Sequence, residues 1–202
     1  MPGLVPLGVM SRERDTYEAA WAIEKYAERS PGERLMPLLA ELLMPVGSVL
    51  DAGCGSGKTG VGLAGLGHAV TLCDLTPDGL TDEACALPFV ARSLTDDLFP
   101  VAYLAGVPEG KFDWVVCCDV MEHLPTAFTM LAVRRMLDVA RRGLFLSIYF
   151  GPDRLGLMVG KPLHQTVMPY LWWLDGLREM GRVLDARDLC EFGVFLVQSE
   201  KR

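Results

Sequence analysis

Residues able to do chemistry are concentrated in one short segment, Val49-Leu-Asp-Ala-Gly-Cys-Gly-Ser-Gly-Lys-Thr59. An apolar run carries Asp51, glycines follow at 53, 55 and 57, and Lys58-Thr59 opens an amphipathic stretch. Alternate glycines permit positive φ and let a ligand lie against bare backbone at the carboxyl end of a sheet. Three guests can be read into the pattern. Ala52, Gly57, Lys58 and Thr59 approach the GxxxxGK(S/T) polyphosphate loop with Ala in place of the first Gly, and Trp114-Val-Val-Cys-Cys-Asp119 resembles a strand ending in a Mg²⁺ ligand. The dinucleotide pattern GxGxxG would need glycine at 58, which is Lys. The third guest is cationic, and Asp51 favours it: a carboxylate repels a polyphosphate and attracts a positive charge.

Other reactive side chains are sparse. Of three histidines, His68 falls in the turn before an apolar run, far from the carboxyl ends, and reads as structural. His123 follows Glu122 just after Phe112-Asp-Trp-Val-Val-Cys-Cys118, and His164 lies in Lys161-Pro-Leu-His-Gln-Thr166. Each is either a turn residue bonded to backbone or a group that orients or deprotonates a substrate. The cysteines at 54, 73, 85, 117, 118 and 190 form no CxxC pair, and no His stands at metal-ligand spacing from them. They read as buried thiols in a reducing compartment, with Cys117 and Cys118 on opposite faces of a strand, and no metal is expected.

The loop closely resembles the hhDxGxGxG motif of class I S-adenosylmethionine-dependent methyltransferases. The resemblance continues through Asp74, which closes Val70-Thr-Leu-Cys-Asp, and through Phe112-Asp-Trp-Val-Val-Cys-Cys-Asp-Val-Met-Glu-His-Leu-Pro125, covering about residues 46–150. It implies S-adenosylmethionine as cofactor and S-adenosylhomocysteine as product. The implied cofactor contacts are Asp51, Gly53, Cys54, Gly55, Gly57, Asp74, Leu75, Ser93, Leu94 and Asp119, with Asp74 accepting both ribose hydroxyls. Where the family places an acid beside the adenine amino group, this chain offers Ser93, with Asp96 a few residues on. His123 and His164 are the candidate catalytic residues. Tyr17 and Trp21 from the helical preface, and Tyr170 and Trp172 after the fifth strand, are the candidate acceptor wall, with Met168 and Trp173 beside them. No NPPY or DPPY tetrapeptide follows the fourth strand, which with the acidic charge argues against methylation of DNA amines. A small-molecule O, N or C acceptor is the first expectation, and a modified nucleoside or a protein the second. The rival functions are a P-loop ATPase or kinase and a non-catalytic cofactor-binding accessory protein.

The elements that must position these residues follow from periodicity. Short apolar runs at Ser48–Ala52, Ala69–Asp74, Phe112–Cys118 and Gly143–Phe150 alternate with helical patterns at Lys58–Leu66 and Thr126–Ala140. That order predicts an α/β fold with a mostly parallel sheet covered on both faces. Arg182–Arg187 and Phe192–Ser199, after a helix over Pro169–Met180, leave no room for a crossover and predict an antiparallel pair. The resemblance gives the whole as a seven-stranded Rossmann-like sheet of order 3-2-1-4-5-7-6 with the last strand antiparallel. The expected organisation is one domain over 1–202: a helical preface or lid to residue 45, a cofactor core over 46–150, and a substrate-side segment with the final strands over 151–202. Arg34–Leu43 is the second helix of the preface.

Composition fits. Of 202 residues, 50% are apolar and 22% charged, too apolar for a disordered chain and enough for one core. The net charge of −7 counts against a broad grip on nucleic acid. No apolar run approaches the ~18 residues of a membrane span, and the first ten residues lack the basic start of a signal peptide. A soluble cytoplasmic protein is expected.

Overall fold

A computed structural model of the chain describes residues 30–95, 107, 111–153, 156, 160 and 162–199. A helical turn α1 (Pro31–Arg34) leads into α2 (Met36–Leu42), and then β1 (Ser48–Ala52), α3 (Lys58–Gly65), β2 (Ala69–Asp74) and the short β3 (Phe89–Ala91) follow. After them come β4 (Phe112–Cys118), α4 (Thr126–Val139), β5 (Ala140–Tyr149), α5 (Tyr170–Met180), β6 (Arg182–Asp188) and β7 (Phe192–Gln198). The strands form one sheet in the order β3-β2-β1-β4-β5-β7-β6. Pairings from β3 across to β5 are parallel, and β7 runs antiparallel to both β5 and β6. This is the order and strand sense predicted from the sequence.

The sheet divides the core by side-chain parity. Leu50, Val115, Cys117, Leu144, Leu146 and Ile148 face Met136, Leu137, Trp173 and Leu177 of α4 and α5. Val49, Trp114, Val116 and Phe145 face the other way, toward Leu39 of α2 and Leu63 of α3. Successive strand residues point to opposite faces, so each central strand feeds both layers. Cys117 and Cys118 accordingly pack into different layers, as expected. β5 begins three residues earlier than the apolar run indicated, because Ala140 already pairs with Phe112. The helix expected over Arg34–Leu43 is split at Leu35 into α1 and α2, each opened by a proline within its first two positions.

At the amino ends of the strands the polar groups are satisfied by one another. Asp113 accepts from the Ser48 N–H (2.9 Å) and pairs with Arg142 (3.2 Å). His68 is buried, with its Nδ1 3.3 Å from the Gly47 N–H, the structural role expected of it. The edge strand β6 alternates exposed and half-buried residues, and Arg187 pairs there with Asp185 and Glu41. Charges on an edge discourage pairing with another chain.

Candidate functional site

At the carboxyl ends of β1, β2, β4 and β5 lies a cavity of about 560 Å³, within the ~300–1,000 Å³ usual for ligand pockets. One wall is the glycine loop. The Gly53 and Cys54 N–H groups both donate to the Cys73 carbonyl (2.8 and 3.0 Å), docking the loop on the end of β2. Gly53 has φ +74°, and a Cβ there would come 2.4 Å from Val120 Cγ2. Gly57 has the same φ and would meet Ala84 at 2.4 Å. The sharp bend therefore requires glycine on both conformational and steric grounds.

Two carboxylates face this wall. Asp51 is almost wholly buried, and its Oδ2 has no hydrogen-bond partner among the described residues. Burial, reinforced by the charge of Asp74 and opposed by the Gly60 N–H, pushes its pKa up to about 7. Asp74 accepts from the Gly55 N–H at Oδ2 (2.8 Å) and from the Leu75 N–H at Oδ1 (2.6 Å). Burial raises its pKa, and those two donors oppose the rise. Each Asp74 oxygen is thereby oriented and retains acceptor capacity for a further donor. Beyond them, Ser93 and Leu94 line the cavity next to Arg92, with Ser93 Oγ 2.8 Å from Thr95 Oγ1.

The opposite wall is built from segments distant in sequence. Asp119, in the left-handed region at φ +53°, accepts from Ser147 Oγ (2.9 Å). Burial lifts its pKa to about 6 against the pull of Ser147 and the positive charge of Arg34. A 3₁₀ turn, Met121–His123, follows. Glu122 is fully buried, its Oε1 accepts from the Tyr149 N–H (3.1 Å) and its Oε2 has no partner among the described residues. Burial, then the charge of Asp119, drives the Glu122 pKa well up.

The stretch 163–166 is stitched onto this turn. The Gln165 and Thr166 N–H groups donate to the Glu122 carbonyl (2.8 and 2.9 Å), Gln165 Nε2 to the His123 carbonyl (2.8 Å) and Thr166 Oγ1 to the Leu124 carbonyl (2.7 Å). Asp153 holds the stretch from the other side, accepting from the Leu163 and His164 N–H groups. As a result the His123 and His164 rings meet edge to face, 4.8 Å apart, and Tyr149 stands 5.8 Å from His164. Burial and then His164 push the His123 pKa down to about 4. Burial lowers that of His164 against the charge of Asp153.

Of the sequence-predicted residues, Asp51, Gly53, Cys54, Gly55, Asp74, Leu75, Ser93, Leu94, Asp119, His123 and His164 share this one cavity. Gly57 does not line it; it caps α3. Tyr170 and Trp172 do not line it either, a correction to the expected acceptor wall. Tyr170 stacks on Phe195 (5.2 Å), and Trp172 packs edge-on against the fully buried Trp173 (4.9 Å). Both serve the layer under α5 because that helix lies against β6 and β7. Met168 likewise packs against that layer. Tyr17, Trp21 and Asp96 lie outside the described residues. Lys58 is not among the lining residues, whereas Arg34, Ser147 and Tyr149, not singled out from sequence, are. The alternation of Ser147 and Tyr149 at the carboxyl end of a parallel strand was the available signal.

Residues 50–143 match a family model described as a methyltransferase domain. The chain is 32% identical over 126 residues to magnesium-protoporphyrin O-methyltransferase of Synechocystis sp., covering 62% of this chain and 54% of that protein. It is 33% identical over 116 residues to ubiquinone biosynthesis O-methyltransferase of Xanthomonas campestris pv. campestris, covering 56% and 48%. The chain thus spans about half the length of these curated relatives. Among solved structures, it is similar to 1,6-didemethyltoxoflavin-N1-methyltransferase of Burkholderia thailandensis, with TM-score 0.73, 16% identity, and coverage of 100% of this chain and 93% of that one. Magnesium protoporphyrin IX methyltransferase from Synechocystis superposes with TM-score 0.58 at 20% identity over 98% and 87%.

Proposed function

We propose, from the premise that this chain carries the class I S-adenosylmethionine-dependent methyltransferase domain, that it transfers a methyl group from S-adenosylmethionine to an O, N or C nucleophile of a small molecule. The observation that carries this reading is the pair of carboxylates, buried Asp51 and half-buried Asp74, facing a glycine loop in one cavity. A cationic amino-acid nucleoside fits that pair, and a triphosphate does not.

In this reading Asp51 and the backbone of Gly53 and Gly55 hold the charged amino-acid end. Asp74, already oriented by two N–H donors, accepts the ribose hydroxyls. Leu75, Ser93 and Leu94 flank the base, and Asp119 lines the cavity within reach of the charge of Arg34. The bound cofactor supplies a methyl carbon on a positively charged sulfur, an activated leaving group. The protein's part is alignment and exclusion of water, which can supply most of the acceleration in such a displacement. His123 and His164 form the acceptor end, where they orient the nucleophile or take its proton. Arg34, Tyr149 and Phe192 complete the wall.

The names of the relatives support a small oxygen acceptor. The wider organisation proposed is a single domain, with residues before 46 and after 150 closing the acceptor side. No helix among the described residues is long and apolar enough to cross a membrane, and six free cysteines suit a reducing cytoplasm.

Titration calorimetry with S-adenosylmethionine, S-adenosylhomocysteine and ATP tests the reading, followed by an acceptor screen with labelled donor. Binding of the first two without ATP, and release of S-adenosylhomocysteine with an acceptor, are the expected results. Binding of ATP alone would restore the P-loop reading. Cofactor binding with no turnover on any acceptor would leave the accessory-protein reading.

A further inference from the structure

We infer that Glu122, His123 and His164 form a binding site for one first-row divalent transition-metal cation, of the Mn²⁺, Co²⁺ or Zn²⁺ kind, at the acceptor end of the cavity. One carboxylate oxygen and one ring nitrogen from each histidine all lie within 4.8 Å of one another. Ligands on ~2.1 Å bonds stand about 3–4 Å apart around such an ion, so side-chain rotations of about an ångström would close the set. Two imidazoles and one carboxylate on one side of a cation leave its other positions open, and imidazole ligands favour transition metals over Mg²⁺ or Ca²⁺.

An independent observation points to a missing ligand. Glu122 is fully buried, and while Oε1 is held by the Tyr149 N–H, Oε2 has no partner among the described residues. A buried acceptor in that state is costly unless something occupies it. His164 Nδ1 is likewise buried without a hydrogen-bond partner among the described residues. The ligands are also held from behind, as a metal site needs: Gln165 and Thr166 fix the turn carrying Glu122 and His123, and Asp153 fixes the backbone at His164. Asp119 and Asp153 add negative charge close by.

The site's role in transfer rests on the proposed function; cation binding does not. An acceptor hydroxyl would bind the open position and lose its proton to water. As its oxygen bonds to the methyl carbon, the sulfur–methyl bond breaks and its electron pair returns to sulfur. The two histidines would then act as ligands and not as the base.

The test uses tag-free, chelator-treated full-length chain, titrated with Co²⁺ by visible absorption and with Mn²⁺ by loss of the free-ion paramagnetic signal. Saturation at about one equivalent is expected. His164→Ala and the near-isosteric Glu122→Gln should each weaken binding by at least ~10-fold, with far-UV circular dichroism showing that each variant folded. Absence of saturable binding, or retention of wild-type affinity in folded His164→Ala, would overturn the site. Cation binding by a chain that ignores S-adenosylmethionine would overturn the function and leave the site standing. Cofactor binding and turnover without cation binding would do the reverse.

Discussion

The two walls of the cavity are made differently. The proposed cofactor wall comes from β1, the glycine loop and the end of β2, within residues 51–75, and its polar groups are tied mainly to neighbouring backbone: Gly55 and Leu75 to Asp74, and Gly53 and Cys54 to Cys73. The acceptor wall joins the β4 turn to a stretch about 40 residues away through Gln165 and Thr166, and it retains unpartnered atoms at Glu122 Oε2 and His164 Nδ1. Among the described residues neither wall is fully satisfied, with Asp51 Oδ2 left over on the first and Glu122 Oε2 and His164 Nδ1 on the second. The walls differ in how they are tied together, one by neighbouring residues and the other by distant segments.

If the contrast is right, damage to the cofactor wall should abolish binding, and damage to the acceptor wall should spare binding and slow turnover. The largest effect is expected for Asp74→Ala. It removes two charge-assisted acceptors, each worth ~1.5–3 kcal/mol, so calorimetry should show a loss of S-adenosylmethionine affinity of ~100-fold or more. Gly53→Ala should follow: the left-handed backbone and the Val120 contact together put ~1–3 kcal/mol of strain into the loop, read as a lower melting temperature and weaker binding.

Thr166→Val removes the hydroxyl bond to the Leu124 carbonyl and the contact with Thr126, worth ~1–2 kcal/mol. It should lower kcat about tenfold while leaving cofactor affinity unchanged. An equal loss of affinity would erase the distinction between the walls.

Smaller still is the pH dependence. With the Asp51 pKa near 7, the carboxylate that attracts a cation is present above pH 7 and protonated below it. Affinity should fall about tenfold from pH 8 to pH 6, a slope that Asp51→Asn should flatten. For the free protein the sign reverses. An acid whose pKa is raised on folding contributes stability below pH 3.8 that is lost as pH rises through about 7, so Asp51→Asn should also flatten this decline in melting temperature. The smallest change is expected for Lys58→Ala, which lies outside the cavity wall and should alter cofactor binding by less than ~0.5 kcal/mol. A large loss there would favour the polyphosphate reading.

The sheet was legible because strand parity and apolar runs repeat locally. Ser48–Ala52 and Ala69–Asp74 begin and end where their patterns do, and the spacing of β6 and β7 left antiparallel pairing as their simple arrangement. Tyr170 and Trp172 misled because an aromatic pair at helical spacing reads alike whether the helix faces a ligand or a sheet. Only the seating of α5 against β6 and β7 settles which. Arg34 carried no signal, since its place at the cavity depends on where α1 packs.

By itself, then, the sequence determined the parallel frame, the glycine bend and the two carboxylates of the cofactor wall, because each depends on residues within a few positions of one another or on strand periodicity. The meeting of His123 and His164, the burial of Glu122 beside them and the packing of half-buried Tyr170 and Trp172 against the layer under α5 were decided by tertiary structure. Those outcomes depend on contacts between segments about 25 to 40 residues apart in the chain, and a pattern read along the chain contains no term for distance across it.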